Sequence, residues 1–113
     1  MIKKHYTDVE AQDVTDYGST GTQIRLLITK DDGAPHFALR RFDLVPGANI
    51  GLHHHKQEHE IYFISGEGEV FTETETVIVT ANDVLYVPPD EPHGYRNTGN
   101  EPLVFICVVP YLE

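Results

Sequence analysis

Several features are scarce in this sequence, and each scarcity excludes a class of protein. The chain contains one cysteine, Cys107, so no disulfide can form within it, which is compatible with a reducing compartment. Lysine and arginine total 8 against 18 acidic residues, and the net charge of −10 repels nucleic acid phosphates and anionic membrane surfaces. A membrane-spanning helix needs a run of about 18 apolar residues, and no run in this chain is that long. The lysines of "MIKKHYTDVE" are not followed by the apolar run of a secretory signal. We therefore expect a cytoplasmic protein with neither a nucleic acid nor a membrane partner.

A helical hydrophobic stripe is also missing, and short β-rich runs take its place. Turn-forming segments interrupt the chain every roughly eight to fifteen residues, a spacing typical of an all-β sandwich or barrel. These segments are "DYGSTG", "KDDGAP", "VPGANIG", "SGEG", "TAND", "VPPDEPHG" and "NTGNEP". The runs between them, rich in Val, Ile, Phe, Tyr and Thr, are "TQIRLLIT", "HFALRRFDLV", "EIYFIS", "GEVFTETETVIVT", "DVLYVP" and "LVFICVVP". The pattern predicts an all-β protein, a small antiparallel barrel or jelly roll.

Length and composition favour one domain. A chain of 113 residues with 40% apolar residues can build a single core and is too short for two independent ones. We expect residues 1–113 to form that domain. Residues 1–15 are the least decided part, and they are interpreted as an irregular arm or as a strand exchanged with a partner subunit. Because a barrel this small usually needs its outer sheet covered, we expect a homodimer.

Four of the seven histidines lie between residues 53 and 59, in the segment "GLHHHKQEHEIYFISGEGEV". A purification tag would be terminal and uninterrupted, so this cluster is not a tag. On an extended strand, alternate side chains share a face, so His53 and His55 project together while His54 points the other way. The residues "KQE" predict a short hairpin loop, after which His59 opens the next strand opposite the first pair. Three imidazoles can converge on a metal, although a solvated histidine-rich turn without a metal has the same local pattern.

A second segment, "NDVLYVPPDEPHGYRN", supplies His93 after a proline-rich turn. Together the two segments resemble the two motifs of the cupin superfamily. In the first motif five residues separate a glycine from His-x-His, as residues 48–52 separate Gly47 from His53. In the second motif the matching residues are Pro88, His93 and Asn97. The resemblance implies a single-domain cupin, which is a double-stranded β-helix or jelly-roll barrel.

The second motif departs from the usual cupin pattern at two positions. Asn82 and Asp90 stand where glycines are usual. Both departures are mild, because Asn and Asp are the non-glycine residues that best tolerate a positive φ.

The spacing of the first motif indicates which residue is its last ligand. The family places an acidic ligand there, followed after six residues by a glycine. Counting from Glu60 reaches Glu67, whereas counting from His59 reaches Gly66. The register therefore favours His59, with Ile61 and Phe63 facing the barrel interior beside it, and strand alternation turns Glu60 away.

A histidine at this position is similar to the small cupins that bind manganese or a related metal through four histidines. The resemblance implies a divalent metal held by His53, His55, His59 and His93. Manganese is expected first and iron second, and nickel, copper, zinc and cobalt also suit imidazole ligands. Four neutral ligands leave the ion its full charge, and an octahedral ion keeps two positions for water, dioxygen or a bidentate substrate.

Five further residues are candidates for the pocket. By the resemblance, Arg40 is the candidate to meet an anionic substrate group, unless Arg40 and Arg41 are both surface charges or one of them pairs with a carboxylate. Tyr95 shares the face of His93 and could hydrogen-bond a metal-bound ligand, although a core tyrosine would fit the same pattern. These two are the candidate catalytic residues. Phe63, Phe105 and Cys107 are expected to line the interior near the metal, with a buried, inert cysteine as the alternative reading.

The function that follows is a small metalloenzyme of the oxygenase type, dioxygenase-like. Its substrate is expected to be a small organic molecule, anionic or able to chelate the metal by an enol, carboxylate or diol. One alternative is non-redox isomerisation or hydrolysis of a sugar derivative by the same metal. Another is a binding module without catalysis. The two remaining histidines, His5 and His36, are expected at the surface or in loops.

Overall fold

Nine strands and three single turns of 3₁₀ helix make up the regular structure of residues 1–112, which are those described by the computed structural model. The strands are β1 (Gln12–Asp13), β2 (Thr20–Ile28), β3 (Phe37–His53), β4 (His59–Ser65), β5 (Glu67–Phe71), β6 (Thr76–Thr80), β7 (Val84–Val87), β8 (His93–Asn97) and β9 (Leu103–Pro110). The 3₁₀ turns are Tyr6–Asp8, Asp16–Gly18 and Lys30–Asp32. The all-β prediction is confirmed. No helix among these residues has the length and hydropathy to cross a membrane.

The strands form one curled antiparallel sheet, a jelly-roll barrel, in the order β6-β5-β8-β3-β9-β4-β7, with β2 on the other edge of β3 and β1 beside β2. Strand β3 joins two halves of the barrel, one formed by β6, β5 and β8 and the other by β9, β4 and β7. It can pair with both because it is 17 residues long. Residues 37–44 pair with β9, and the end of the strand, from residue 49 to residue 53, pairs with β8. One strand therefore carries groups in both halves of the barrel.

The segment "VPGANIG", predicted as a turn, lies inside β3, so that prediction is wrong. Leu44 is opposite Thr22 and Asn49 is opposite Thr20, so the excess residues on β3 form a bulge. Pro46 has no N–H to donate, and Gly47 adopts a φ of 82°, which is open to glycine at no steric cost. The turn-forming residues Pro46 and Gly47 therefore produce a β-bulge within β3 and do not end the strand.

Two other predictions about the strands need correction. The run "GEVFTETETVIVT" is two strands, β5 and β6, joined by a turn in which Thr72 accepts hydrogen bonds from the N–H groups of Thr74 and Glu75. The "KQE" segment is not a hairpin loop, because β4 pairs with β7 and β9 in the described chain and not with β3. It instead crosses from one half of the barrel to the other. His53 and His59 therefore approach each other from opposite walls.

The core is built from rows of inward side chains across β3, β9 and β4. Phe42, Phe105 and Phe63 are in register, with ring centroids 5.0 and 5.2 Å apart. The next row towards the histidines consists of Arg40, Cys107 and Ile61. The charged side chain of Arg40 therefore lies in the row next to the three phenylalanines.

Three non-glycine residues within the described range 1–112 have a positive φ. Asn82 (73°) and Asp90 (64°) are the two positions where the sequence replaces the usual glycines, and their tolerance of this conformation is confirmed. The third, Tyr17 (59°), was not anticipated.

The N-terminal segment packs on its own chain. β1 pairs with β2, and the Lys4 ammonium lies 2.9 Å from the Asp32 carboxylate. The Tyr6 ring contacts the guanidinium groups of Arg25 and Arg41, 5.1 and 3.8 Å from its centroid. Exchange of residues 1–15 between subunits stays a prediction.

Candidate metal centre

Four imidazoles meet at one end of the barrel, on side chains from three strands and one loop. His53 ends β3, His55 follows it in the loop, His59 opens β4 and His93 opens β8 opposite His53. The ring centroids of His53 and His93 are 4.4 Å apart, and those of His55 and His59 are 4.5 Å apart. The His59 and His93 centroids are 5.3 Å apart. His54, by contrast, is exposed.

Ring nitrogens within this group are close enough to share an ion. One nitrogen each from His53, His55 and His93 lie within 4.8 Å of one another. His59 is not part of that set of three, but its Nε2 is 2.8 Å from Nε2 of His55. Glu60, the alternative to His59, is exposed and lines a groove on the outer face of the sheet.

Backbone carbonyls determine the tautomer of two of these histidines. His53 Nδ1 is 2.7 Å from the carbonyl of Gly51, and His93 Nδ1 is 2.8 Å from that of Glu91. A carbonyl only accepts, so Nδ1 carries the proton in both rings and the lone pair is on Nε2. His93 Nε2 is buried and has no hydrogen-bond partner among residues 1–112. A buried acceptor without a hydrogen-bond partner costs free energy because it no longer contacts water, and a metal ion would supply the missing partner.

Burial keeps the imidazoles of His55, His59 and His93 neutral, which is the state that binds metals. It lowers the pKa of His59 to about 2, with the Arg40 charge adding to the effect, and lowers the pKa of His93 to about 4. Burial also lowers the pKa of His55. Unprotonated nitrogen donors with free lone pairs suit a first-row transition metal. The residues present therefore fit the divalent metal that the family resemblance implies.

The histidines open into a cavity of about 370 Å³. Its wall contains His53, His55 and His59, together with polar and apolar side chains from both halves of the barrel. The other lining residues are Val14, Thr15, Asp16, Tyr17, Gln12, Asp13, Ile24, Arg40, Phe42, Ile50 and Tyr95. The volume suits a small ligand.

Arg40 lies in the cavity wall and is only partly exposed. Its Nη2 is 3.2 Å from both His59 Nδ1 and Cys107 Sγ, and its guanidinium lies over the ring of Phe42, 5.1 Å from the centroid. Within residues 1–112 no carboxylate forms an ion pair with it, and its buried Nε has no partner. Both plainer readings of Arg40, a surface charge or a carboxylate pair, disagree with this position.

Tyr95 lines the same cavity and is 4% exposed. Its ring meets His93 edge-on at 5.6 Å and stacks on Phe105 at 4.9 Å. Burial raises the pKa of the Tyr95 hydroxyl, so it stays protonated and can donate.

The three predicted pocket residues Phe63, Phe105 and Cys107 do not line the cavity. Phe63 and Phe105 are fully buried in the aromatic row below it. Cys107 is 1% exposed and lies behind His59, with Sγ 3.0 Å from Nδ1. The prediction assigned them to the inward face of their strands, but Phe105 and Cys107 contact residues that line the cavity without lining it themselves.

Sequence reasoning missed the contribution of residues 12–17 to the cavity wall. Tyr17 stacks on His53, with centroids 4.5 Å apart and planes 7° apart. Gly51 makes this approach possible, since a Cβ there would be 1.8 Å from the Tyr17 carbonyl oxygen. Gly51 also donates its N–H to Ser19 Oγ at 3.3 Å, which ties the turn to β3. The available signal was an aromatic residue in the polar turn "DYGSTG", which was interpreted as a turn alone.

Comparisons with known proteins agree with this architecture. A family model described as a cupin domain matches residues 40–109, which span Arg40, all four histidines and Cys107. The oxalate-binding protein of Thermotoga maritima is 41% identical over 70 residues, which are 61% of this chain and 58% of that protein. The chain thus spans about half the length of the curated relatives that it matches.

Solved structures extend the likeness over the whole fold. The polyketide cyclase RemF from Streptomyces resistomycificus has a TM-score of 0.91 at 33% identity, over 97% of this chain and 79% of that one. A predicted oxalate decarboxylase from Thermotoga maritima has a TM-score of 0.86 at 26% identity, over 98% of this chain and 100% of that one.

Proposed function

The chain belongs to the cupin domain family, and from this premise we propose that it is a metalloenzyme whose divalent ion is held by His53, His55, His59 and His93. The observation that carries the proposal is the convergence of these imidazoles at the end of a cavity, with the buried Nε2 of His93 lacking a partner. Manganese is the proposed ion, followed by iron, because the family resemblance implies these two metals and the cavity leaves room for further ligands.

The substrate proposed is a small organic anion that chelates the ion through two oxygen atoms. When bound, the ion would act as a Lewis acid that polarises those oxygens and would mediate electron transfer to dioxygen. The guanidinium of Arg40, free of carboxylates in the described chain, would bind the negative charge of the substrate. The protonated hydroxyl of Tyr95 would donate to a substrate oxygen. The apolar side chains of Ile24, Phe42 and Ile50 would limit the amount of water around the bound substrate.

The reaction proposed is dioxygenation, in which the enolate of a 1,3-dicarbonyl substrate takes up one dioxygen, its carbon–carbon bond breaks, and both oxygen atoms remain in the two products, a carboxylate and a dicarbonyl compound. The experiment compares turnover of oxalate and of a 1,3-diketone by the manganese- and iron-loaded protein in air and under argon. Oxygen uptake matched to substrate loss would support the proposal, and turnover that is unchanged under argon would contradict the oxygenase version.

A non-redox reaction is the second candidate, and the similarity to RemF favours it. That protein is described as a polyketide cyclase, and it shares 33% identity over nearly all of this chain. Cyclisation, isomerisation or hydrolysis would need the same polarised oxygens and no dioxygen. A binding role without catalysis is a third version, favoured by the relative described as an oxalate-binding protein. Tight binding of oxalate without turnover in air or argon would support that version.

The ligand set has its own test, because His59 and Glu60 are neighbours on opposite faces of β4. His59→Ala should lower the metal content of the purified protein, whereas Glu60→Ala should leave it unchanged. The opposite result would assign the ligand to Glu60.

We also propose that the protein is a cytoplasmic homodimer of single-domain chains, with the outer groove beside Glu60 as the contact.

A further inference from the structure

We propose that Cys107 is a positioning residue that holds His59 in the tautomer a metal ligand needs, by accepting a hydrogen bond from His59 Nδ1–H. The inference rests on the proposed function, since it concerns one of the four proposed ligands. It assigns a role in the metal centre to a residue that lies outside the cavity wall.

The contact is specific and buried. Cys107 Sγ is 3.0 Å from His59 Nδ1, and the two residues are 1% and 4% exposed. Arg40 Nη2 lies 3.2 Å from the same sulfur and donates to it. The sulfur, the imidazole and the guanidinium thus contact one another in pairs, and the sulfur and the imidazole are shielded from water.

Two of the other proposed ligands, His53 and His93, show what His59 lacks. His53 and His93 each place Nδ1 on a backbone carbonyl two residues earlier in the chain, which leaves Nε2 free. His59 makes no such contact in the described chain, and its Nδ1 faces only Cys107 and Arg40. A guanidinium has no lone pair to offer, so it cannot accept a hydrogen bond. If Nδ1 carries the proton, Sγ is the acceptor available.

The tautomer matters because His59 can adopt the wrong one. Its Nε2 is 2.8 Å from Nε2 of His55, so one of these nitrogens carries a proton when no ion separates them. With the proton on His59 Nε2, Nδ1 would accept from Arg40, and no lone pair would face the cluster. The hydrogen bond to sulfur stabilises the other tautomer and leaves Arg40 to donate to Sγ instead.

Strand register explains why residue 107 is suited to this role. Cys107 lies on β9 between Arg40 on β3 and Ile61 on β4, in the inward row next to the histidines. The side chain at this position therefore reaches the far side of the His59 ring. Serine would offer an oxygen acceptor of similar size, whereas valine would fill the space without an acceptor.

The experiment measures zinc and manganese affinity by chelator competition in the wild type, Cys107→Ser, Cys107→Val and Cys107→Ala. Loss of a group that orients a metal ligand costs about 10- to 100-fold in affinity. Cys107→Val and Cys107→Ala should both show such a loss, and Cys107→Ser should restore affinity to within a few-fold of the wild type. The control, Val79→Ala, removes buried core volume on β6 and should lower thermal stability without changing metal affinity.

Nitrogen-15 NMR of histidines in the zinc-loaded wild type provides a second readout that packing alone would not alter. It should show His59 bound through Nε2 with a slowly exchanging proton on Nδ1, and this proton should exchange faster in Cys107→Val. Affinity of both Cys107→Val and Cys107→Ala equal to the wild type, or His59 bound through Nδ1, would overturn the inference while the metal site stands. A wild-type protein that binds neither metal would overturn the proposed function and this inference together.

Discussion

The ring of Tyr17 lies flat on the ring of His53, with 4.5 Å between centroids and 7° between planes. A residue of the N-terminal segment thus covers a proposed metal ligand that follows it by more than 30 positions. Tyr17 has a left-handed φ of 59°, and the residue as a whole is 59% exposed. It is both a support for His53 and part of the entrance to the cavity.

Removal of the Tyr17 ring should weaken metal binding modestly. A stacked aromatic pair contributes about 1 kcal/mol, so Tyr17→Ala should raise the Kd for manganese about fivefold, while Tyr17→Phe should not. Calorimetric titration of the metal-free protein measures both values. Equal affinity of Tyr17→Ala and Tyr17→Phe would show that the stack does not support His53.

Arg40 should decide the affinity for anions at the metal. A hydrogen bond to a charged group contributes about 1.5 to 3 kcal/mol, so Arg40→Gln should weaken oxalate binding to the manganese-loaded protein by about 10- to 100-fold. Arg41→Gln is the matched control, because Arg41 pairs with Asp43 at 2.9 Å, away from the cavity lining. Calorimetry should show that Arg41→Gln binds oxalate like the wild type. Equal weakening in both variants would indicate a nonspecific charge effect.

The metal-free protein should lose stability in acid over a defined pH range. The folded-state pKa values of His59 and His93, about 2 and about 4, lie below the ordinary value of 6.5. Between pH 6.5 and 4 the unfolded state therefore takes up protons that the folded state does not, so the free energy of unfolding falls as the pH falls. The slope is at most about 1.4 kcal/mol per pH unit per histidine, and it vanishes above about pH 7.

Urea denaturation of the metal-free protein at pH 7.5, 6.0 and 5.0 tests this expectation. His93→Gln should reduce the slope between pH 6 and 5, because one depressed group is removed. The same slope in the variant and the wild type would show that His93 takes up protons equally in the folded and unfolded states.

The outer groove should be the contact between two copies of the chain. Val84, Tyr86 and Tyr62 are 73%, 56% and 47% exposed there, on strands β7 and β4. Size-exclusion chromatography with light scattering should show a dimer for the wild type and a monomer for Val84→Asp. Ile78→Asp is the control, since Ile78 is 75% exposed on β6 and should leave the dimer intact. A wild-type monomer at micromolar concentration would refute the assembly.

The sequence predicted most of the strands and the approach of His53, His55 and His59 because these depend on local patterns, whereas His93 was assigned by its place in the second cupin motif. Alternation determines which of His53, His54 and His55 share a face, and motif spacing distinguishes His59 from Glu60. Asn82 and Asp90 were correctly expected to tolerate a positive φ because that tolerance is a property of the residue itself.

What the sequence could not predict depends on contacts between distant segments. Pro46 and Gly47 have the composition of a turn, and only the pairing of β3 with its neighbours makes them a bulge. Tyr17 reaches His53 because Gly51 leaves room for its backbone, a relationship between two separate segments. Phe63 and Phe105 point inward as expected, but their depth below the cavity depends on the side chains stacked above them.

X-ray absorption spectroscopy of the manganese-loaded protein tests the central claim most directly. The account predicts one manganese per chain, with four imidazole nitrogens and further oxygen ligands that are replaced when oxalate is added. A bound manganese with fewer than four imidazoles in the wild type, or a spectrum unchanged in His59→Ala, would contradict it.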